Sequence, residues 1–381
     1  MAYFDNAATT YPKPEQVYLF MDQFYRASGG NSGRGSYELA QSAGALIKDT
    51  RHRIQRLLHC PAKQVIFEPS ATIALNIIIQ GIIRAGAATI YITPFEHNAV
   101  TRTLRYFEKM KQIRVIQLAV TKELEYDLER IQYQFAAQKP DFVIVSHASN
   151  VCGLIAPVEE IFKRAKKYNA VTLVDMAQTA GLIDLNVSLS TIDFAVFAGH
   201  KTLYGPTGLS GFVMNPNVKF PSILFGGTGY ESANQDMPES LPEKYEMGTI
   251  NISGVAGLNA ALQWREEISA VEIENREQEN RKKLVDLLRE FSFIKIVGNY
   301  PKRQYVGIVS GLIEGISSDS AGNIFSRCGI AVRTGLQCAP LAHRFLGTYP
   351  AGTIRFSVGY FTSDQDFGEL KDTLEYVDGE L

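Results

Sequence analysis

Short, almost wholly apolar runs recur between helical patterns over residues 60–215, and they constrain the fold more than any other feature. The runs are QVIF, TIYIT, IRVIQL, DFVIVS, AVTLVD and DFAVFAG, which begin at residues 64, 89, 113, 141, 170 and 193. Strands that are apolar throughout, without alternation, are typical of parallel sheets covered by helices on both faces. Amphipathic segments at 36–58 and 158–167 lie before and between these runs. The order predicts an α/β layered domain.

The second half of the chain has a different pattern. Residues 225–244 are rich in Gly, Ser, Glu and Pro and predict a long loop. A helical pattern follows over 254–291, and its charged middle, 272–283, predicts a solvated helix that leaves the first domain. FIKIVG, YVGIVSGL, IAVRTG and TIRFSVGY then predict a smaller α+β unit. With 381 residues, we expect a large domain over 14–260 and a small C-terminal domain over 261–381 joined by segment 1–13.

Charge and cysteine content exclude several classes of partner. Lys+Arg 38 against Asp+Glu 40 gives a net charge of -2, so no overall field attracts nucleic acid or an anionic membrane. The four cysteines have neither CxxC nor Cys/His zinc spacing, which disfavours a disulfide framework and a structural metal. No signal-peptide pattern or apolar run of about 20 residues occurs. We expect a soluble cytoplasmic protein with a small neutral or zwitterionic substrate.

Lys201 follows the last apolar run of the first domain, in Gly199-His200-Lys201. A lysine among turn-forming residues at a strand end can enter a cleft, where partial loss of water frees its amine for Schiff-base chemistry. A solvated turn lysine is the more frequent outcome for such a motif taken alone.

Two further strand ends carry candidate groups. Asp175 ends the run 170–175, with Gln178 three residues later, and an aspartate there could keep a cofactor's ring nitrogen protonated; a helix N-cap is the alternative. Ser70-Ala71-Thr72 lies between an apolar run and an apolar helix, a pattern that offers free backbone N–H groups to a phosphate.

Together these residues resemble the fold-type I pyridoxal-phosphate (PLP) enzymes, specifically the class V aminotransferase and cysteine desulfurase family. The resemblance covers nearly the whole chain. Its motifs occur in the family's order: DNAATT, FEHNA, SHASNVCG, VDMAQ, GHKTLYGPTG, EMGTIN and RTGLQCAP.

The resemblance implies PLP as cofactor and assigns residues to it. Lys201 would carry the cofactor, Asp175 would pair with its pyridinium nitrogen, and Gln178 would approach its phenolic oxygen. His97 would stack on the ring, although a polar residue closing a strand is the alternative. The phosphate would be held by the segment with Ala71 and Thr72, by His200, and by Thr249 of a neighbouring subunit, which implies a homodimer.

The resemblance also implies the reaction. Cys338, in an RxGxxCA context that includes Arg333, matches a cysteine that attacks the sulfur of L-cysteine, takes it as a persulfide and releases alanine. A small buried hydrophobe is the alternative for Cys338 and the expected state of Cys60, Cys152 and Cys328. The substrate would be bound by Arg355 at its α-carboxylate, and by Asn150, Asn6, Arg34 and Arg333. Gly33 replaces the histidine of one subgroup, so access to the site could differ.

Other functions compete with this interpretation. A transaminase and a selenocysteine lyase would use the same scaffold, and a transaminase needs no cysteine. A non-catalytic PLP-binding protein is disfavoured because Lys201, Asp175, Cys338 and Arg355 are all present. A nucleotide-binding oxidoreductase is disfavoured because no GxGxxG turn follows an early strand. A sulfur-acceptor protein, for example one in iron–sulfur cluster assembly, would take the persulfide sulfur.

Ala71 and Ala198 stand where well-known members of the family have hydroxyl side chains, and this departure makes a testable prediction. Each missing hydroxyl removes a hydrogen bond to a charged phosphate, worth about 1.5–3 kcal/mol. We expect Ala71→Thr and Ala198→Ser each to slow PLP loss on dialysis, measured as cofactor absorbance per protein. Equal retention in both variants and the parent would show that the hydroxyls do not matter here.

Overall fold

The computed structural model describes residues 1–32 and 35–380, and it has the predicted α/β architecture. The helices in these ranges are α1 (Glu15–Ser28), α2 (Glu38–Leu57), α3 (Ala71–Arg84), α4 (Asn98–Lys109), α5 (Leu128–Ala137), α6 (Val158–Lys166), α7 (Ile252–Ile268), α8 (Ala270–Arg289), α9 (Ser318–Arg327), α10 (Pro340–Leu346) and α11 (Asp364–Glu380). The strands are β1 (Ala2–Tyr3), β2 (Gln64–Glu68), β3 (Thr89–Ile92), β4 (Arg114–Gln117), β5 (Phe142–Ser146), β6 (Val171–Asp175), β7 (Phe194–Ala198), β8 (Ser210–Met214), β9 (Ile294–Val297), β10 (Ile308–Ile313), β11 (Ile330–Ala331), β12 (Arg333–Gly335) and β13 (Thr353–Ser357).

A seven-stranded, mostly parallel sheet forms the centre of the large unit, in the order β2-β8-β7-β6-β5-β3-β4. The strands from β7 to β4 are parallel, and β8 pairs antiparallel with both β7 and β2. Only residues 199–209 connect β7 to β8. A parallel crossover needs a dozen residues or more, so this short connection, which contains Lys201, returns the chain antiparallel.

Successive residues of the central strands enter two different cores. Phe142 and Ile144 of β5 pack in one cluster with α3 and α4, whereas Val143 and Val145 pack in another with α2, α5 and α6. Because side chains alternate across a sheet, a strand covered on both faces must be apolar at every position. This explains the uninterrupted apolar runs of the sequence.

The smaller unit is an antiparallel sheet in the order β12-β13-β10-β9, with its own core. β1 pairs in parallel with β11, and Asp5 forms an isolated bridge to Ser357, so residues 2–5 lie against this unit. Helix α7 runs continuously through the predicted domain boundary at 260. The exact boundaries stay a prediction.

Two sequence expectations about helices differ from the structure. The pattern over 254–291 forms two helices, because Ser269 has a φ of 79° and caps α8 by accepting a hydrogen bond from the Glu272 N–H at 3.3 Å. The polar middle of α8 is not solvated throughout. Glu277 accepts a bond from the Gly307 N–H at 2.8 Å, and buried Asn280 donates to the Gly359 carbonyl at 3.0 Å. The expectation of a long loop over 225–244 is correct.

Buried Arg265, near the end of α7, connects the helix to two turns beside the central sheet. Its Nη1 donates to the Thr202 carbonyl at 2.8 Å and its Nη2 donates to the Gly181 carbonyl. Buried carbonyls that lose a charged donor are left unsatisfied.

We expect Arg265→Met to lower the free energy of unfolding by about 3 kcal/mol, because it removes two charge-assisted hydrogen bonds from buried carbonyls. Urea denaturation followed by circular dichroism measures the change. The control is Arg289→Met at an exposed position of α8, where we expect a change within about 0.5 kcal/mol. Equal urea denaturation midpoints for the two variants would contradict a stabilising role for the Arg265 hydrogen bonds.

Candidate active site

The Lys201 side chain lines a cavity at the edge of the sheet where β5, β6 and β7 end. Burial removes water from the ammonium group and lowers its pKa to about 8, against the opposing effect of the Asp175 carboxylate. The main chain around it forms tight turns, with the Tyr204 N–H donating to the Lys201 carbonyl at 2.8 Å. Lys201 therefore has an amine that is neutral in part near pH 8, as covalent chemistry requires.

Segment 9–13 holds the turn that carries Lys201. The His200 carbonyl accepts hydrogen bonds from the Thr9 hydroxyl at 3.0 Å and from the Lys13 ammonium at 2.7 Å. The Thr10 hydroxyl donates to the Lys201 carbonyl at 3.1 Å. The motif DNAATT contains Thr9 and Thr10, but no local pattern predicts their contact with the turn, because 187 to 191 residues separate the bonded partners.

Asp175 lies at the end of β6, buried in the same cavity. Burial raises the pKa of its carboxyl, while the Ala177 N–H, which donates to Oδ1 at 2.9 Å, and the Lys201 charge lower it. Gln178 also lines the cavity, and its amide donates to the Ala7 carbonyl at 2.9 Å. The Asp175 carboxylate is therefore placed to pair with a positively charged group in the cavity.

The start of α3 forms one wall of the cavity, with Ala71, Thr72 and Ala198 among the lining residues. Ser70 caps the helix by accepting from the Ile73 N–H at 3.3 Å. The N–H groups of residues 71 and 72 have no helical partner and are free to bind an anion. His200 lines the same wall, and its buried Nδ1 has no partner in the described residues. Its pKa falls to about 4 through burial, so the ring is neutral.

His97 is the N-cap of α4 and lines the cavity beside Lys201. Its Nδ1 accepts a hydrogen bond from the Ala99 N–H at 3.1 Å. Burial and the positive charge of Lys201 lower its pKa to about 4. An accepting Nδ1 places the proton of the neutral ring on Nε2.

Two arginines share one carboxylate at the boundary of the two units. Arg333 and Arg355 lie opposite each other in the β12–β13 pair, and Asp5 binds both, at 2.7 and 2.8 Å. Buried Arg355 also donates to the Asn150 carbonyl at 3.0 Å, while its Nε and the Asn150 Oδ1 have no partner in the described ranges. Asn150 lines the Lys201 cavity. Asp5, which was not among the predicted site residues, offsets the repulsion between the two cations.

Neither Arg333 nor Arg355 is among the residues that line the Lys201 cavity. Three other predicted site residues lie elsewhere or cannot be placed. The Asn6 amide donates to the Ser357 carbonyl at 3.0 Å and its oxygen accepts from the Tyr11 N–H at 3.3 Å, and it does not line the Lys201 cavity. Thr249 is exposed and lines a different cleft, together with Arg51. Arg34, like Gly33, lies outside the described residues. The roles of all three stay predictions.

Cys338 is exposed on the loop between β12 and α10. Its carbonyl accepts a hydrogen bond from the Asn98 N–H at 2.7 Å, and its φ is 56°. The preceding residue, buried Gln337, is fixed by His343 at 2.8 Å and by the Thr353 carbonyl at 3.0 Å. Cys338 lines a cleft together with Thr72 and His97, both of which also line the Lys201 cavity. The thiol therefore lies on the approach to Lys201.

The other cysteines differ in exposure. Cys60 and Cys152 are buried, as expected, whereas Cys328 is exposed, contrary to expectation, because it lies at the C-terminal cap of the surface helix α9. In the described part of the chain, no group of His, Cys, Asp and Glu side chains could hold a metal ion. Likewise, no helix in residues 1–32 and 35–380 is both long and apolar enough to cross a membrane.

The lowered pKa of Lys201 can be tested on the protein without added ligand. A neutral amine reacts with acetic anhydride and an ammonium does not, so we expect labelling of Lys201 to rise with pH around a midpoint of about 8. Asp175→Asn removes the charge that favours the ammonium form, so it should lower the midpoint further. Mass spectrometry of the Lys201 peptide measures both. A labelling midpoint near pH 10.5, or a higher midpoint in Asp175→Asn, would contradict the burial of Lys201 beside the Asp175 charge.

Comparisons with known proteins agree with this geometry. A probable cysteine desulfurase of Halalkalibacterium halodurans is 30% identical over 98% of this chain and 92% of its own length. One of Methanothermobacter thermautotrophicus is 29% identical over 99% and 94%. The apo structure of a cysteine desulfurase from Thermococcus onnurineus NA1 superposes with a TM-score of 0.90 at 27% identity, covering all of this chain and 95% of that one. This likeness confirms the predicted fold-type I PLP-dependent transferase fold.

The family assignment extends over almost the whole chain. The family model described as Aminotransferase class-V matches residues 2–370. This range contains every strand described above, the Lys201 cavity and the Cys338 loop. The chain belongs to the class-V aminotransferase family.

Proposed function

We propose that this protein is a PLP-dependent cysteine desulfurase, which converts L-cysteine to L-alanine and holds the sulfur as a persulfide on Cys338. One observation carries the proposal beyond family membership. An exposed cysteine lines a cleft that shares Thr72 and His97 with the Lys201 cavity. The similar proteins described above are named as cysteine desulfurases, which supports the same reaction.

The polar groups of the cavity suit PLP, and several of them lack partners in the described residues. The α3 N-terminus and the unpartnered Nδ1 of His200 are suited to the phosphate. Asp175 is suited to the ring nitrogen, His97 to the ring face, and the Lys201 amine to the aldehyde carbon. When bound, PLP supplies an electron sink for negative charge at the substrate's α-carbon.

Arg355 and Asn150 are the proposed contacts for the substrate's α-carboxylate. The Arg355 Nε is buried without a partner, so this guanidinium retains a donor after its bonds to Asp5 and to the Asn150 carbonyl. A carboxylate that accepts from Nε would satisfy it. The Asp5 bond fixes the guanidinium plane before substrate binds.

Lys201 and Cys338 have separate proposed roles in the reaction. The Lys201 amine, with a pKa of about 8, takes the proton from the α-carbon of L-cysteine. The Cys338 sulfur then attacks the substrate sulfur: the S–S bond forms, the substrate C–S bond breaks, and its electron pair stays with the three-carbon fragment. That fragment takes up protons and leaves as alanine.

Assembly, location and onward transfer are part of the same proposal. The exposed position of Thr249, outside the Lys201 cavity of its own subunit, suits a residue that contacts the phosphate of a second subunit in a homodimer. An acceptor protein would then reach the exposed Cys338 and take the sulfur, with iron–sulfur cluster assembly as one use. A cytoplasmic location fits the free thiols.

We expect the purified holoenzyme to form alanine from L-cysteine and one persulfide on Cys338 before reductant is added. Cys338→Ala should lower alanine formation by about 100-fold or more, because it removes the nucleophile. Cys328→Ala, which removes another exposed thiol, should leave the rate within about twofold. Amino-acid analysis and mass spectrometry of the two cysteine peptides measure these outcomes.

The same assay separates the rival reactions. Alanine formation that Cys338→Ala does not change would indicate a transaminase or direct sulfide release. Turnover of selenocysteine with none of cysteine would indicate a selenocysteine lyase. No alanine from the parent protein would refute the desulfurase proposal and leave the family assignment unchanged.

A further inference from the structure

We propose that Glu96 is a positioning residue: it holds His97 at the cofactor cavity and, through Asn98, the loop that carries Cys338. The proposal rests on the proposed roles of His97 and Cys338. Glu96 does not line the cavity and contacts none of the reacting groups, so it acts through its neighbours.

The Glu96 carboxylate joins the ends of two adjacent parallel strands. It is fully buried and follows β3 by four residues. Its Oε1 accepts hydrogen bonds from the Thr93 hydroxyl and from the Ser146 N–H, both at 2.7 Å. Its Oε2 accepts from the Ser146 hydroxyl at 2.8 Å. A carboxylate that accepts this many short bonds has one orientation, and so does the main chain around it.

Glu96 also lies close to Asp175, the carboxylic acid of the Lys201 cavity, because the strand end that it binds is next to β6. Ser146 lines the Lys201 cavity and is paired with Asp175 in the register of β5 and β6. Burial raises the pKa of Glu96 to about 7, the Ser146 and Thr93 bonds oppose that rise, and the Asp175 charge adds to it. Its anchoring therefore occurs at the sheet edge that positions the cofactor-binding groups.

The residues that follow Glu96 connect it to His97 and to the loop of Cys338. An α-helix leaves four N–H groups without partners at its start. In α4 the N–H groups of Asn98, Ala99 and Val100 are satisfied, two by His97 and one by Cys338. The Ala99 N–H donates to His97 Nδ1, and that of Val100 donates to the His97 carbonyl, which also accepts the first regular helical bond from the next residue. The Asn98 N–H donates to the Cys338 carbonyl at 2.7 Å. A shift of this segment would move the His97 ring and the Cys338 loop together.

Glu96→Gln tests the proposal, because a glutamine side chain has one oxygen acceptor instead of two. The Ser146 hydroxyl that donates to Oε2 must turn and accept instead, and the remaining hydrogen bonds lose the charge of the carboxylate. We expect hydrogen exchange at the Asn98 amide to become about tenfold faster, which reports a loosened bond to Cys338 without any need for activity. We also expect kcat for alanine formation to fall about tenfold or more while KM for L-cysteine stays within about threefold, since misplaced reacting groups affect the chemical step more than binding.

Glu277→Gln is the matched control. Glu277 is a buried glutamate whose pKa burial also raises to about 7, and it accepts a backbone hydrogen bond from Gly307, outside the Lys201 cavity. It should leave Asn98 exchange and kcat within about twofold of the parent. Unchanged Asn98 exchange in Glu96→Gln, or equal changes in both variants, would overturn the proposal.

Ser146→Ala decides the matter if Glu96→Gln does not fold. It removes one of the bonds to Glu96 and adds no donor. Asn98 exchange about threefold faster than in the parent would support the proposal, and exchange equal to that of the parent would overturn it. Because exchange is measured without substrate, a failed desulfurase proposal and a failed role for Glu96 give different results.

Discussion

The attraction between the Lys201 ammonium and the Asp175 carboxylate acts in a cavity where both groups have lost much of their water. Burial lowers the pKa of the lysine to about 8 and raises that of the aspartic acid, and each charge partly offsets the cost of the other. The balance depends on their separation, which adjacent parallel strands fix: Asp175 ends β6, and Lys201 lies three residues beyond β7. Hydrogen bonds from segment 9–13 hold the turn that carries Lys201, and the Ala177 N–H holds the Asp175 carboxylate.

The parts of the fold that were predictable are those in which local pattern and burial agree. β3, β5, β6 and β7 were predicted because burial on both faces favours an apolar residue at nearly every position. β8 was not among the predicted runs, since it begins with Ser210 and Gly211, which have low strand propensity. A glycine is needed there: a Cβ on residue 211 would lie 2.1 Å from the Ile66 carbonyl oxygen. Packing of the next strand, which a local pattern does not contain, sets this requirement.

The candidate site was predictable in residues that line the Lys201 cavity and the Cys338 cleft, and not in the residues that hold them. Lys201, Asp175, His97 and Cys338 stand in motifs from which a role was assigned to each. Asp5 stands in the motif DNAATT but was assigned no role, and Arg265 stands in none of the motifs. Asp5 contacts Arg355 across 350 residues, and Arg265 contacts Thr202 across 63. Glu277 and Asn280 are buried polar residues that bind main-chain groups of distant loops, so the prediction of a solvated helix is wrong at these positions. It is correct for exposed neighbours such as Lys282 and Lys283. In each case the two partners are distant in sequence, so the contact exists only in the folded chain and no local pattern predicts it.

Residues 2–10 connect both units, and this has a consequence for biosynthesis. On the ribosome, Asp5 is made about 350 residues before Arg355, and β1 is made long before β11. At roughly 5–20 residues per second, that segment waits roughly 20–70 s for its partners. The central sheet can form in the meantime, but the anchoring of Arg355 cannot. An incomplete chain that stops before β13 therefore lacks Arg355 and the strand pairing that holds it, so its Asp5 has no such partner.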